Sequence, residues 1–217
     1  VSRCWFLGNT VQENGSCGCL YAINGSTVEN TLVDGTRGLC IGGGIIASGV
    51  GTTIRNCTVA RNMIGTTGIF RPIATATGLD YRSSGGPTVV NCAFALNEEP
   101  TIMGPGKSAW QSDSQPVLAA NSFNCAFGGG AEIVGANSIA VDDDNPLLFK
   151  DAPAGDFAIT RKSPLHNAGV YDPSWMDGAA DLAGNPRIDH YRRGTGLVDI
   201  GAYEAPYVPT ATIMFIR

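Results

Sequence analysis

Apolar residues along the chain come in runs of three to five, such as Cys4–Leu7, Cys19–Ala22, Ile45–Ala47 and Ala93–Leu96, broken by Gly, Asn, Ser and Thr. Runs of that length bounded by turn residues predict short strands. No stretch before the last third carries apolar residues at i, i+3, i+4 and i+7 between caps, so no substantial helix is expected there.

The runs repeat. From Ile54 the chain reads I-R-N-C-T-V-A-R-N, and from Val89 it reads V-V-N-C-A-F-A-L-N. Both follow one template: aliphatic, any, Asn, Cys, any, apolar, two residues, Asn. Val1 begins a third copy with Arg3 in the first Asn position, and Val28 a fourth with Thr31 in the Cys position. A partial fifth lies at Asn124–Phe127. The starts at 1, 28, 54 and 89 are 27, 26 and 35 residues apart. A second short run, Cys19–Ala22 or Gly44–Ala47, precedes the copies at Val28 and Ile54.

Such a unit is too small to close a core alone, but it does so as one coil of a solenoid, with strand stacked on strand about 4.8 Å apart. Equivalent template positions then stand above one another. In a straight strand the Cys and the apolar position two residues later cannot share a face with the leading aliphatic residue. A turn at Asn-Cys reconciles them, since Asn tolerates left-handed geometry. Asn side chains in a column are also expected to hydrogen-bond to one another. The expected fold is all-β: a right-handed parallel β-helix of about five coils over residues 1–144, with a C-terminal coil and capping segment over 145–217.

Composition sharpens this reading. Of 217 residues 29 are Gly, only 15% are charged and 43% are hydrophobic, which excludes a disordered chain. The net charge of −5, with Lys107, Lys150 and Lys162 the only lysines, argues against nucleic acid and anionic membranes as partners. The apolar runs are too short and glycine-diluted for membrane insertion. An acidic, lysine-poor, Gly/Asn/Thr-rich chain is expected outside the cell or on its surface. Val1–Trp5 reads like the inside of a strand rather than a signal peptide. With a repeat under way at Val1, the chain is expected to be the end of a longer rod.

The tail carries N-P-L-L-F from Asn145, G-D-F from Gly155, S-P-L-H-N-A-G from Ser163, D-L-A-G-N-P-R-I-D from Asp181 and L-V-D-I-G-A-Y-E from Leu197. With the N-C-T and N-C-A coils before it, this series resembles bacterial right-handed β-helix proteins of the pectin-lyase-like superfamily, of the choice-of-anchor type that ends in D-I-G-A-Y-E. The resemblance implies fold and secretion far more than activity. Such proteins commonly continue past Y-E into an anchoring segment, whereas Ile213–Ile216 is too short to anchor.

Apart from the resemblance, the last coil of a solenoid needs a cover over its strand edges. Asp181–Arg187 has the composition of a tight turn, with Asp181 and Asn185 satisfying turn groups and Arg187 free to pair with Asp199 or Glu204. The alternative is a ligand site.

Cys4, Cys57, Cys92 and Cys125 share one template slot, and Thr31 in that slot argues for a ladder of thiols acting as small packing groups, not bridges. Cys17 and Cys40 are the pair most suited to a disulfide. Zinc is not expected at Cys17-x-Cys19, because His166 and His190 both lie in the tail. The dense acidic run Asp142, Asp143 and Asp144 reads as a turn, with Ca²⁺ the one cation it could hold. No other cofactor is expected.

Hydrolysis of a polysaccharide needs carboxylates gathered on one coil face, and none are apparent. β-Elimination needs a base beside an acidic group, and the counterparts of Arg55 and Arg61 in the next copy, Val90 and Leu96, are not acidic. Sugar stacking needs only exposed aromatics, for which Trp110, Tyr81 and Phe70 in the excursions 65–86 and 98–115 are the candidates. The expectation is therefore a non-catalytic, adhesin-like or glycan-contacting surface module with a polysaccharide or cell-surface glycan as partner. A polysaccharide lyase or glycoside hydrolase fragment, and a self-associating structural subunit, are the alternatives.

Overall fold

The computed structural model describes residues 1–11, 19–38, 44–64, 78–81, 87–97, 102–103, 122–128, 135–188 and 197–206. The first coil contributes β1 (Trp5–Leu7) and β2 (Thr10–Val11). The second has β3 (Leu20–Ile23), β4 (Thr27–Glu29), β5 (Leu32–Asp34) and β6 (Arg37–Gly38). The third has β7 (Ile45–Ser48), β8 (Thr53–Arg55), β9 (Thr58–Ala60) and β10 (Met63–Ile64). The fourth has β11 (Leu79–Tyr81), β12 (Thr88–Val90) and β13 (Ala93–Ala95), and the fifth β14 (Ile102–Met103), β15 (Ser122–Phe123) and β16 (Ala126–Phe127). A last coil strand, β17 (Ile139–Ala140), follows.

Strands stack in parallel with their counterparts on neighbouring coils, forming one six-stranded, two four-stranded and one three-stranded sheet. The register is that of the repeat: Val28 stands opposite Ile54, and Ile54 opposite Val89. Likewise Leu20 of the preceding run pairs with Ile45. The all-β parallel β-helix expected from the template is the fold observed.

The first corner carries the predicted turn. Arg3, Asn30, Asn56, Asn91, Asn124 and Asn137 all adopt left-handed backbone, with φ between 48° and 55°. That corner lets Val28, Ile54 and Val89 point inward before it, and Cys57, Cys92 and Cys125 just after it, together with Val59, Phe94 and Phe127. The Phe94 and Phe127 rings stack at 5.7 Å in this core. The slot after the Asn does more than fill space: Cys57, Cys92 and Cys125 each place Sγ 3.2 to 3.4 Å from the carbonyl two residues earlier. Thr31 sets its Oγ1 2.8 Å from the equivalent Glu29 carbonyl. A small donor is the requirement of the slot, which explains why Cys and Thr exchange there. All three are thiols, not disulfides. Burial pushes the Cys92 thiol well above its usual range, and its Cys125 and Cys57 neighbours add to the rise.

A sixth copy of the corner, Ala136–Asn137–Ser138–Ile139, escapes the template because Ser replaces Cys. Its Ser138 Oγ accepts from the Cys125 amide at 3.1 Å.

At the second corner Gly8, Gly35, Arg61 and Leu96 adopt left-handed backbone. The residue after it forms the expected ladder: Asn62 Nδ2 donates to Asn97 Oδ1 at 3.0 Å, and the Thr36 amide donates to Asn62 Oδ1 at 3.0 Å. In the first Asn column the expected mutual bonding gives way to another partner, the tail. Asn91 Nδ2 donates to the Val170 carbonyl at 2.8 Å and its Oδ1 accepts from the Val170 amide at 2.9 Å. Asn124 Nδ2 donates to the Ala168 carbonyl, and Asn30 Oδ1 accepts from Arg187 Nε.

The tail therefore lies along the flank of the six-stranded sheet, where a cover over its last strand had been expected. It contains β18 (Gly169–Val170) paired antiparallel with β19 (Leu197–Val198), and a one-turn helix α1 (Pro173–Met176) capped by Asp172. Leu148, Phe157, Leu165, Leu182, Ile200 and Ala202 pack on Leu32, Ala60, Ala93, Ala95 and Ala126, the outward residues of the coils. Small outward residues leave room for a second layer. Gly201, at φ 103°, marks one close approach, because a Cβ there would sit 2.8 Å from Thr58 Oγ1. Contact reaches back to the first coil, where Trp5 Nε1 donates to Tyr203 Oη at 3.1 Å.

Candidate functional site

A concavity of about 550 Å³ lies between the second corner and tail residues 143–153, and adjoining it along the second corner is another of about 690 Å³. They share Arg61 and Leu96, so together they form one trough along the coil stack. Gly8, Gly35 and Arg37 line the part nearer the first coils, with Met63 as an apolar wall. Asp144, Lys150 and Asp151 line the part nearer the last coils, with Pro146 and Leu148 beside them.

Arg61 holds the middle. It takes both carboxylate oxygens of Asp34, Nε to Oδ1 at 2.7 Å and Nη2 to Oδ2 at 2.5 Å. Its Nη1 donates to the Ala152 carbonyl at 2.6 Å, and the guanidinium lies 5.0 Å from the Phe157 ring centroid. The Asp34 hydrogen bonds hold the guanidinium pKa above its ordinary value. Two coils and the tail are thus fastened at one side chain.

The expectation that Arg55 and Arg61 lack acidic partners is corrected here. Arg55 Nε and Nη2 bind Glu29 Oε2 at 2.9 and 2.6 Å, and Glu29 is its in-register partner on the preceding coil. Parallel stacking offers each residue a neighbour on both sides, and the acidic partner stands on the preceding coil, whereas Val90 and Leu96 stand on the following one. Trp175 of α1 covers the Arg55 guanidinium at 4.1 Å.

A second polar centre is buried where the tail meets the Asn column. Arg187 is 1% exposed. It donates from Nη1 to Glu204 Oε1 at 2.8 Å, from Nε to Asn30 Oδ1 at 2.9 Å and from Nη2 to the Gly201 carbonyl at 2.8 Å. Burial pushes the Glu204 carboxyl up to about 8, opposed by Arg187 and reinforced by Asp199. Asp199 faces His166 Nδ1 at 2.9 Å and accepts from the Ala205 amide at 2.6 Å. Asp181 accepts from the amides of Asn185 and Glu204 and from Asn185 Nδ2. With Arg187, Glu204, Asp199 and Asp181 all buried and bonded across the tail, this arrangement locks the tail to the coils.

Among the other sequence candidates, Asp142, Asp143 and Asp144 sit in a turn in which the Asp144 amide donates to Asp142 Oδ1 at 3.0 Å. Among the described residues no three His, Cys, Asp or Glu side chains converge as a cation site requires. Cys4 sits half-buried in its slot on the first coil, with Sγ 3.3 Å from the Ser2 carbonyl. Tyr81 closes strand β11 opposite Ala47. Trp110, Phe70, Cys17, Cys40 and His190 lie outside the described residues. Sequence reading missed the trough because it is made between the tail and a corner. The signal available was the exchange of Gly35 for Arg61 in one slot, with Asp34 a coil away.

None of the curated proteins and none of the solved structures compared is significantly similar to the chain. Residues 1–156 match the family model described as the right handed beta helix region, and the chain belongs to that family.

Proposed function

We propose that the chain is an extracellular or cell-surface β-helix module of the pectin-lyase-like superfamily, which contacts a polysaccharide or surface glycan without cleaving it. The observation that carries this reading is the trough itself. It is long and open, with apolar walls and charged groups set into them, and one carboxylate in it, Asp34, is held by two Arg61 hydrogen bonds instead of facing a substrate. A carboxylate fixed in that way orients side chains and does not act as a general base. Exposed Arg37 and the apolar wall of Met63 and Leu96 supply a hydrogen-bond donor and a ledge for sugar rings. The acidic, lysine-poor composition supports export, and the D-I-G-A-Y-E series supports a bacterial choice-of-anchor origin.

The test is a glycan array with the purified chain, paired with reducing-end and unsaturated-uronate assays on uronic-acid polymers. Binding without turnover, weakened by Arg37→Ala, is the expected result. Turnover assigns the chain to the lyases or hydrolases and overturns the reading. Trp110→Ala, Tyr81→Ala and Phe70→Ala test the aromatic contacts proposed from the sequence.

A further inference from the structure

The two halves of the trough carry opposite charge. In the first half Asp34 is neutralised by Arg61, which leaves Arg37, exposed and with no carboxylate partner among the described residues. In the second half Arg61 is already taken by Asp34, and Lys150 is paired with Asp156 at 2.9 Å. Asp144 and Asp151, both exposed, then set the sign there.

The two ends are well separated. Arg37 belongs to the second coil, whereas Asp143, next to Asp144, lies against Gly128 of the fifth, so close that a Cβ on Gly128 would meet its carboxylate. Three coil spacings amount to about 14 Å. That exceeds a screening length of about 8 Å at physiological salt, so Arg37 and Asp144 act on separate parts of a ligand, with Asp151 between them, next to the Ala152 carbonyl that meets Arg61 of the third coil.

Resting on the glycan-contacting reading above, we infer that the trough selects a mixed-charge glycan, with an acidic sugar at Arg37 and a free-amine sugar at Asp144 and Asp151. A uniformly anionic chain meets Arg37 favourably and the two aspartates unfavourably, and a uniformly cationic chain does the reverse. Only a chain with both signs is complementary along the whole trough. A peptide fits less well. Strand β6, which carries Arg37, is the middle strand of its sheet and presents no free edge for strand addition. The left-handed corner with Gly8 and Gly35 is a shallow floor that takes a sugar ring more readily than a side-chain anchor.

The experiment compares two forms of one oligosaccharide by calorimetry at physiological salt: N-deacetylated heparosan, in which glucuronate alternates with glucosamine, and the same material after N-acetylation. The free-amine form is expected to bind about tenfold more tightly. Arg37→Gln is expected to weaken both forms. The double variant Asp144→Asn/Asp151→Asn is expected to weaken the free-amine form alone. All three positions are exposed, so thermal melts are expected to remain unchanged. Equal affinity for the two forms, or indifference to these variants, overturns the inference while the glycan-contacting reading stands. The same holds if neither form binds but other array glycans do. If no glycan binds, both fall. Tighter binding of an alternating Lys-Asp peptide than of the free-amine glycan replaces the sugar with a protein partner.

Discussion

Asn56 and Asn91 occupy the same slot of adjacent coils, with φ of 50° and 51°, and both are fully buried. They differ in what their side chains do. Asn91 makes two hydrogen bonds to Val170 in the tail, whereas neither Nδ2 nor Oδ1 of Asn56 has a partner among the described residues. Substitution by Gly keeps the left-handed backbone free of strain, so it isolates the side-chain contribution. Asn91→Gly loses two bonds at about 0.5–1.5 kcal/mol each, a cost of about 1–3 kcal/mol. Asn91→Ala adds the left-handed penalty of about 1–2 kcal/mol, for a total of about 2–5 kcal/mol. Asn56→Gly loses no bond and releases an unsatisfied amide, which offsets the small void left behind, so its cost is expected to stay within about 1 kcal/mol. Urea unfolding followed by tryptophan fluorescence measures all three. For a chain of this size each kcal/mol shifts the melting temperature by about 2–4 °C. If Asn56→Gly costs as much as Asn91→Gly, the Asn column does not owe its stabilising effect to the tail.

Glu204 gives a pH dependence. Its carboxyl is raised from 4.5 to about 8, chiefly by burial, so folding favours the protonated form. That contribution is complete below about pH 4.5 and is lost as pH climbs to about 8, so the urea midpoint is expected to fall across this window. Arg187, Asp199 and Asp181 face the group, with His166 behind Asp199, and Glu204→Gln is expected to flatten the profile. Asp156 and Asp172, lowered by the Lys150 and Ser174 hydrogen bonds, act only at lower pH, where their contribution is lost below about 3.8. Arg55→Met removes the cation from Trp175 and the partner from Glu29, and is expected to cost about 1–2 kcal/mol and shift the Trp175 emission. Cys92→Thr keeps a small donor and is expected to stay within about 1 kcal/mol of the parent, whereas Cys92→Leu overpacks the slot and costs about 1–3 kcal/mol in the same melts.

The coils were legible because stacking repeats one environment, so Ile54 and Val89, or Cys57 and Cys92, answer the same demand and resemble each other. The sixth corner was not, because Ser138 replaces Cys, with its hydroxyl accepting from the Cys125 amide, and its coil lacks the aliphatic lead residue. The outward alanines at 60, 93, 95 and 126 signal that something covers them, but small residues do not say what. Arg187 and Glu204 could be paired from charge alone, whereas Asn30, 157 residues from Arg187, could be placed beside it only by the fold. The trough needed both surfaces at once.

The lengthwise course of the tail changes how the molecule must come apart. In a bare solenoid each coil touches only its neighbours, so coils are free to fray from an end one at a time. Here Trp5 is tied to Tyr203 across 198 residues, and Asn30, Asn91 and Asn124 are tied to the same returning segment. Loosening the first coil therefore strips contacts from residues that also brace the third, fourth and fifth. The stack is expected to unfold as one cooperative unit, and because the strap is synthesised after the coils it ties, those coils wait for it before they are secured.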